Sequence, residues 1–562
     1  MKNRVRDLIE QGDRLFSKRG NLLSLWQTMA ENFCPIRADF TTTRMIGDEF
    51  ASHLMTGRPV LAHRDLGNSL SAMLRPRGTP WFHARTGDEK INTDAAARAW
   101  LDDKSDVMRR VMYDQRSQFT RATKQGDHDF VAFGQTVIAV DVNSEQNGLL
   151  YRTFHLRDVA WQENDELVVD VVHHNWAHEA RALIRKFPKT VSSKVRTLAE
   201  KEPFKLVKCR RIVMPADEYD FTLREKPKNR GRFPFVLIMV DCENDTILEE
   251  VPARRVPYVI PRWQTVPGSQ YAYSPATVVA LPDARMLQAM TLTLLEAGQK
   301  AVDPPLKATQ EAIVGGVNAF SGGLTWTDYA YDERTGAAIE PLYDTGRANL
   351  AWGESREEKI ERLISEAFFL NVINLPEASP QGDKMTAYET QKRVEEYIRR
   401  ALPLFEPMEA EYNGGLCEMT WNQSMDLNLF GPLDDMPPIL RSQELVWQFE
   451  SPLQAANERV KSEAFRQSGE LLAVAAAMSQ TEQYDFDVSK GLRDALSGVS
   501  RADWIVPKEQ ADAARQKGAM RAQAMQAAQA LQTGAATVEQ MGTAVETAGN
   551  AAQTMQAAGM AA

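Results

Sequence analysis

Leu22, Leu23, Leu25, Trp26, Met29 and Phe33 recur at helical spacing and predict an amphipathic helix near the start of the chain. Residues 1–130 read as helical throughout, with further helices over 61–74 and 95–113 on either side of a Pro76-to-Pro80 turn. From about Phe133 the hydrophobic period shortens to two. Strands are predicted at 136–142, 149–151, 167–172, 205–209, 233–240, 246–251 and 256–260, with turn signals such as Asn147-Gly148 between them. Short helices near 177–186 and 191–201 interrupt the set, so residues 131–273 read as a mixed α+β region.

The period then returns to helical. A long helix opens at Ser274-Pro275, or restarts at Pro282, because proline suits a first helical position. It is apolar on most sides through Val302, which requires burial on several faces, and Pro304-Pro305 stop it. Residues 303–349 carry short strands and Gly315, Gly316, Gly322, Gly323 and Gly336, which read as hairpin turns. A second helix over 350–370 is expected to start from a capping box of Ser355 with Glu358. Its apolar stripe is Ile360, Leu363, Ile364, Ala367 and Phe368. The 371–385 stretch, with Asn374, Pro376, Glu377, Ser379, Pro380 and Gly382, is too long for a plain turn. Another helix runs from Thr386 to about Trp421, with bends expected at Pro403 and Pro407.

Residues 451–562 read as helical. From 522 onward the charged side chains are Glu539 and Glu546. Leu531, Val538, Val545 and Ala552 fall seven apart, as do Gly534, Met541, Ala548 and Met555. This heptad with a small-residue seam fits either a tube of neighbouring helices or a mobile, partly helical tail.

At 562 residues the chain exceeds one core and implies three or four structural units. No run in the sequence approaches a bilayer-spanning length and no signal-peptide pattern is read at the start, so no membrane association is expected. Cys34, Cys209, Cys242 and Cys417 lie too far apart for a metal motif or a disulfide framework. The net charge of −10 argues against tight DNA binding by one subunit. It does not exclude DNA passing through, since a mostly acidic or neutral lining with a few basic rings lets attraction and repulsion nearly cancel.

Candidate chemistry is sparse. The sequence has no phosphate-binding Gly-x-x-x-x-Gly-Lys-Ser/Thr loop, no His-Glu-x-x-His, no Cys-x-x-Cys and no Gly-x-Ser-x-Gly. No cofactor, metal or catalytic residue is assigned. His173, His174 and His178 form the one metal-like cluster, read by default as turn histidines at a strand end. Asp102-Asp103 and Asp434-Asp435 read as solvated carboxylates. Trp26, Trp81, Trp100, Trp161, Trp263 and Trp352 read as core or boundary anchors.

An ordered series of short motifs carries a resemblance. Pro76 to Trp81-Phe82, Ala132-Phe-Gly134, Arg262-Trp263 and Tyr271-Ala-Tyr-Ser-Pro275 come first. Ala280-Leu-Pro-Asp283, Lys300-Ala-Val-Asp-Pro-Pro-Leu306, Lys384-Met-Thr-Ala387, Arg399-Arg-Ala-Leu402 and Phe449-Glu-Ser-Pro-Leu453 follow. Over roughly residues 20–510 the chain resembles the portal proteins, or head-to-tail connectors, of short-tailed bacteriophages. Two positions depart: Ala272 replaces an expected glycine, and His173-His174 replace an expected basic residue after a strand.

The resemblance implies the portal fold, a ring, usually of twelve subunits, at one capsid vertex. Residues 1–273 and 386–450 would form an α+β wing, 274–302 and 350–370 a two-helix stem, and 303–349 a small β-rich clip. Residues 371–385 would form a tunnel loop, 451–520 a helical crown, and 521–562 a barrel or mobile tail. Implied DNA-channel residues are Lys300, Lys359, Arg362 and Lys384. Gly315, Gly316, Gly322, Gly323 and Trp326 would mark the clip surface that meets the terminase large subunit and later the tail adaptor protein. Capsid and scaffolding protein, internal core or ejection proteins, and double-stranded DNA are the other implied partners. The protein would act in the virion, after assembly in the host cytoplasm, as a passive conduit for packaging and ejection. Competing readings are another ring-forming virion protein, such as a tail adaptor or scaffold, and a DNA-acting enzyme.

Overall fold

The computed structural model describes residues 2–221, 223, 230–318, 324–328, 337–342, 350–373 and 408–449 except 433 and 442, plus a few positions between 514 and 521. The chain divides into two compact units, Met1–Gln454 and Ala455–Ala562. The expected crown and barrel therefore lie almost wholly outside the described residues, as do Gly322, Gly323, Gly336, the 374–385 loop and the 386–407 part of the expected third helix.

The first unit opens with α1 (Lys2–Lys18), α2 (Gly20–Phe33) and α3 (Arg58–Leu74). Strand β1 (Phe82–Thr86) and helices α4 (Glu89–Thr93), α5 (Ala95–Met112) and α6 (Phe119–Phe133) follow. Next come β2 (Val137–Val142), β3 (Leu149–Phe154), β4 (Val159–Glu163) and β5 (Val169–Glu179), then α7 (Ala180–Lys186) and α8 (Ser193–Lys201). The strand region closes with β6 (Leu206–Pro215), β7 (Phe235–Asp241), β8 (Thr246–Ala253), β9 (Tyr258–Val259), β10 (Gln264–Thr265) and β11 (Ala272–Tyr273). This is the mixed α+β architecture the changing period predicts.

Strands β4 to β8 pair in sequence order as an antiparallel meander, and β3-β2-β9 form a second sheet. Helix α1 covers one face of the meander, packing Val5 and Leu8 against Val171, Ile212, Val236 and Ile238. Leu183 of α7 and Val195 of α8 belong to a cluster with Cys209, Met239 and Leu248 on the meander. Strand alternation therefore buries side chains on both faces. The largest core joins α2, α3, α5, α6 and the β2–β3 hairpin, with Trp26, Phe33, Trp81, Phe130, Phe133 and Trp161 essentially inaccessible.

The expected histidine site is corrected here. His173, His174 and His178 lie within β5, not at a strand end or on a helix, and alternation sends His173 to the face opposite the other two. Both ring nitrogens of His173 are buried without a hydrogen-bond partner, while His174 Nδ1 lies 3.1 Å from the Tyr258 hydroxyl. Burial pushes both imidazoles down to about 3, with Arg210 beside His173 and Arg211 beside His174 adding to the effect. Burial likewise takes His63, whose Nε2 meets the His128 carbonyl at 2.8 Å, down to about 4.

Each of these groups is neutral when folded and ordinary, near 6.5, when unfolded. Below 6.5 the unfolded chain binds more protons, so stability is lost as pH falls from about 6.5 toward 3–4. Thermal melts should therefore show a falling Tm over that window, as stability is lost at up to about 1.4 kcal/mol per pH unit for each histidine. His173→Gln should make the slope shallower, whereas an unchanged slope would mean that His173 is not one of the titrating groups.

Two ion pairs, each with a buried carboxylate, brace the core. Arg75 pairs with Asp127, also donates to Asn413 Oδ1 at 2.8 Å, and lies over the Tyr412 ring. Burial opposes the Arg75 charge, yet the Asp127 carboxylate holds its pKa above the ordinary value. Asp129, buried, pairs with Arg37. Asp102 is corrected from a solvated carboxylate: it meets Arg85 at 2.6 Å and His83 at 3.3 Å. Ala272 is fully buried and donates its backbone N–H to Gln135, so alanine is accommodated where glycine is expected.

Candidate functional site

Helix α9 (Pro275–Val302) begins where the Ser274-Pro275 signal places it. The Ser274 hydroxyl accepts the Thr277 backbone N–H, and Pro275 fills the first turn. Its root is fixed by Gly134, which caps α6 at φ +74°. A Cβ there would come within 2.2 Å of the Tyr273 carbonyl carbon and 2.4 Å of Ser274 N. The Thr277 hydroxyl adds a 2.8 Å bond to the Ala132 carbonyl.

The expectation that α9 is buried on several faces fails within one chain. Ala276, Ala280, Ala284 and Leu287 are buried, but Val278, Val279, Met286, Leu292, Leu295 and Val302 are exposed. An 18-residue window of α9 is apolar enough to cross a bilayer by length and composition, against the expectation that no stretch approaches that length. The reason is that the helix mixes Ala, Thr and Gln with its larger apolar residues, so no single run is long.

Helix α10 (Leu350–Ala367) returns antiparallel to α9, followed by the short α11 (Leu370–Ile373). The Thr291 hydroxyl bonds Glu357, and Gly353 lets α10 approach so closely that a Cβ would sit 2.5 Å from Leu294 Cδ2. Ile360, Ile364 and Phe368 are buried as expected, and Phe368 packs on Phe33 with ring centroids 5.3 Å apart. Leu363 is instead 41% exposed, one position off the buried stripe. Ser355 is not a cap, since the helix already runs from Leu350. Trp352 is exposed, not a core anchor. Beside Leu294, Leu295, Gly298 and Glu354 the two helices leave an open groove of about 980 Å³.

Between the two helices the chain runs out and back through nested antiparallel pairs. Strand β12 (Leu306–Ala308) pairs with β15 (Ile339–Pro341), and β13 (Ile313–Val314) pairs inside them with β14 (Trp326–Thr327). Lys307 meets Glu340 at 2.9 Å across the outer pair. Gly315, at φ +105°, follows β13, and neither it nor Gly316 has a close neighbour in the Cβ direction. Trp326 is 67% exposed, with Val314, Val317 and Leu324 also exposed around the inner pair. The period-two signal of these aliphatic neighbours is too short to stand out in the sequence.

Lys300, Lys359 and Arg362 are exposed and make no ion pair among the described residues. Lys359 and Arg362 stand three apart, on the side of α10 turned away from its Gly353–Glu357 contact with α9. Lys300 lies near the far end of α9, roughly 18 Å along the helix pair from that level. Helix α10 also carries exposed Arg356, and its carboxylates Glu354, Glu357 and Glu361 fall on a different side from Lys359 and Arg362, with Glu358 and Glu366 the ones nearer theirs. Lys384 and Asn374, Pro376, Glu377, Ser379, Pro380 and Gly382 fall outside the described residues.

After that gap, a π-helical turn at Met408–Asn413 leads into α12 (Gly414–Asp426). Strand β16 (Leu445–Phe449) then pairs antiparallel with β1. The four cysteines are free, and burial raises the Cys34 and Cys209 thiols to about 12. Among the described residues no cluster of three or more His, Cys, Asp or Glu is placed to hold a metal ion.

Residues 5–499 match the family model described as bacteriophage head to tail connecting protein. The chain is 25% identical to a probable portal protein of Bordetella phage BPP-1 and 21% identical to the portal protein of Salmonella phage epsilon15, each over 95% of both chains. Among solved structures, the neck of an empty GTA particle is matched over 74% of this chain and 90% of that chain, at 9% identity. Its TM-score of 0.32 is too low to say anything of this fold. The family match takes in the helix pair, the excursion between them and the α+β base, and the chain belongs to the bacteriophage head to tail connecting protein family.

Proposed function

We propose that the protein is the portal of a phage head: a ring, of twelve subunits as the family resemblance implies, through which DNA enters during packaging and leaves through the tail. One observation supports this most. Helix α9 leaves Val278, Val279, Met286, Leu292, Leu295 and Val302 in water, although burying each is worth about 1.5–3 kcal/mol. Neighbours on both sides in a closed ring would bury them, by a heterologous contact whose rotation closes.

In this reading α9 and α10 are the stem and the nested hairpins around Trp326 the clip. The exposed apolar rim of the clip would receive the terminase large subunit and then the tail adaptor. The 374–385 segment, whose structure is not described, would supply the tunnel loop and Lys384. Lys359 with Arg362, and separately Lys300, would become two belts of positive charge on a wall of mixed charge. Such a wall guides a duplex without gripping it. The chain's part is passive, and the energy of packaging would come from the terminase.

Negative-stain microscopy of the purified chain tests the ring. Rings with a central hole of roughly 20 Å or more, the width of a helix-lined passage for a duplex, are expected. A chain that stays monomeric at every concentration and beside its capsid and scaffolding proteins would overturn the reading. Lys359→Glu with Arg362→Glu should leave rings intact and lower DNA packaging, as should Lys384→Glu. Loss of the rings themselves would make these residues structural.

A further inference from the structure

We propose that the α7–α8 hairpin is a second DNA contact, which holds the phosphate backbone of a duplex at a place separate from the charge belts of α9 and α10. The choice of DNA over another polyanion rests on the portal reading; the site itself rests on charge. Residues 180–208 carry nine Lys and Arg against Glu200 and Glu202, a net +7 in a chain whose total is −10. Charge concentrated in this way, against the sign of the whole chain, is the electrostatic footprint of a phosphate-binding surface.

Folding does not account for these cations. The hairpin is held to the meander by Leu183, Phe187, Val191 and Val195, which are buried with Val207, Cys209, Met239 and Leu248. All nine cations are exposed. Arg181 and Lys205 meet Glu179 and Glu202 at 3.1 and 3.3 Å. Arg196 donates to the Pro188 carbonyl, and Lys186 lies over the Trp176 and Phe187 rings. Arg185, Lys189, Lys194, Lys201 and Lys208 make no ion pair among the described residues. Like charges held this close repel one another in the free protein, and a polyanion laid across them relieves that repulsion.

The spacing suits a duplex. Helices α7 and α8 are about 10 and 13 Å long, so the five cations share one compact hairpin. Lys194 and Lys201 stand seven residues apart, on the same side of α8 and about 10 Å from each other, the rise of three base pairs. Lys189 comes from the loop between the helices. Of the hairpin's two aromatic rings, Phe187 is buried and Phe204 lies under the Arg181 guanidinium, so neither is free to stack on a base. Contacts are therefore to phosphate and carry no sequence preference. The hairpin belongs to the meander's apolar cluster, whereas α9 and α10 root in the main core through Ala276, Ala280, Ile360 and Ile364. A different part of the chain thus holds this DNA from the part that carries Lys300, Lys359 and Arg362.

The test measures binding of a short fluorescent duplex by the full chain, as monomers and as rings, across about 50 to 200 mM salt. With five cations each neutralising one phosphate, log K against log salt should fall with a slope of about −4 to −5. Rings, which present many hairpins, should bind more tightly than monomers. Two duplexes of unrelated sequence should bind alike. Lys189→Gln, Lys194→Gln and Lys201→Gln together change exposed side chains and should leave the melting curve unchanged. They should weaken binding by about tenfold or more and make the slope shallower by about 3. Unchanged affinity and slope would overturn the proposal. So would binding lost with Lys359→Gln and Arg362→Gln but not with the hairpin variant, since it would then belong to the channel. Tighter binding of poly-glutamate or of phosphatidylglycerol vesicles than of the duplex would assign the hairpin to an acidic protein or a membrane and overturn it too. Microscopy of the same samples separates this proposal from the portal reading. Rings whose DNA affinity ignores the hairpin substitutions sink the hairpin contact and leave the portal reading. Monomers alone, with hairpin-dependent binding, sink the portal reading and leave the hairpin as a DNA contact.

Discussion

Asp127→Ala is expected to destabilise the protein by about 3–5 kcal/mol, the cost of leaving a buried guanidinium without its carboxylate. Asp127 is wholly inaccessible, and Arg75 has only a sliver of surface. The pair also ties together distant parts of the chain: Arg75 follows α3, Asp127 sits in α6, and Asn413 with Tyr412 comes from the π-helical turn beyond residue 407. Losing it should loosen the point where the chain re-enters the base after the segment proposed as the tunnel loop. Chemical denaturation of the monomer would measure the loss. Arg75→Met with Asp127→Leu, which removes both charges, should recover much of it. A single variant within about 0.5 kcal/mol of the parent would show that water or a rearranged partner satisfies Arg75.

Gly134→Ala carries the second large effect. The left-handed backbone alone costs about 1–2 kcal/mol for a residue with a Cβ. The clash with the Tyr273–Ser274 backbone adds more, because the atoms approached are main chain and cannot swing aside. The Trp263 N–H also bonds the Gly134 carbonyl at 2.8 Å, so any shift propagates to Trp263 and the Phe130 ring stacked on it. A loss of about 3 kcal/mol or more is expected in denaturant melts. In the assembled state the substitution should displace the root of α9, reducing ring yield more than Lys359→Glu does. A near-normal melt would mean that residues 273–274 have an alternative path.

The parts legible in the sequence are those with a long or sharp local signal. Ser274-Pro275 fixed the start of α9, and Pro304-Pro305 its end, because caps and prolines act through neighbouring backbone groups. The change of period near Phe133 announced the strands that follow it, although β4 and β1, the latter inside the stretch read as helical, were too short to read, and the strand expected within 386–450 gave no sign that it pairs with β1. Ser355-Glu358 misled because a Ser-x-x-Glu pattern fits an exposed helix interior as well as a cap. The histidines misled because β5 continues through them to Glu179, with neighbouring strands supplying the ladder partners. Apolar content foretold that α9 needs burial, but not that one chain supplies only a minor part of it. The anchoring of Met55 and Thr56 was invisible because their backbone partner is Gln288, more than two hundred residues away.

The pairing of Phe82–Thr86 with Leu445–Phe449 has a consequence for the growing polypeptide. Strand β1 is made early, and its partner emerges only after the long helix pair and its hairpins have left the ribosome, an interval on the order of tens of seconds at usual synthesis rates. Until then Phe82 and the neighbouring Trp81, both inaccessible in the finished fold, border an open strand edge that can recruit other chains. The nascent base must therefore wait unfinished while the elements it will carry are being made. Truncated products ending before residue 445 should be the aggregating species in an infected cell, however well their individual helices form.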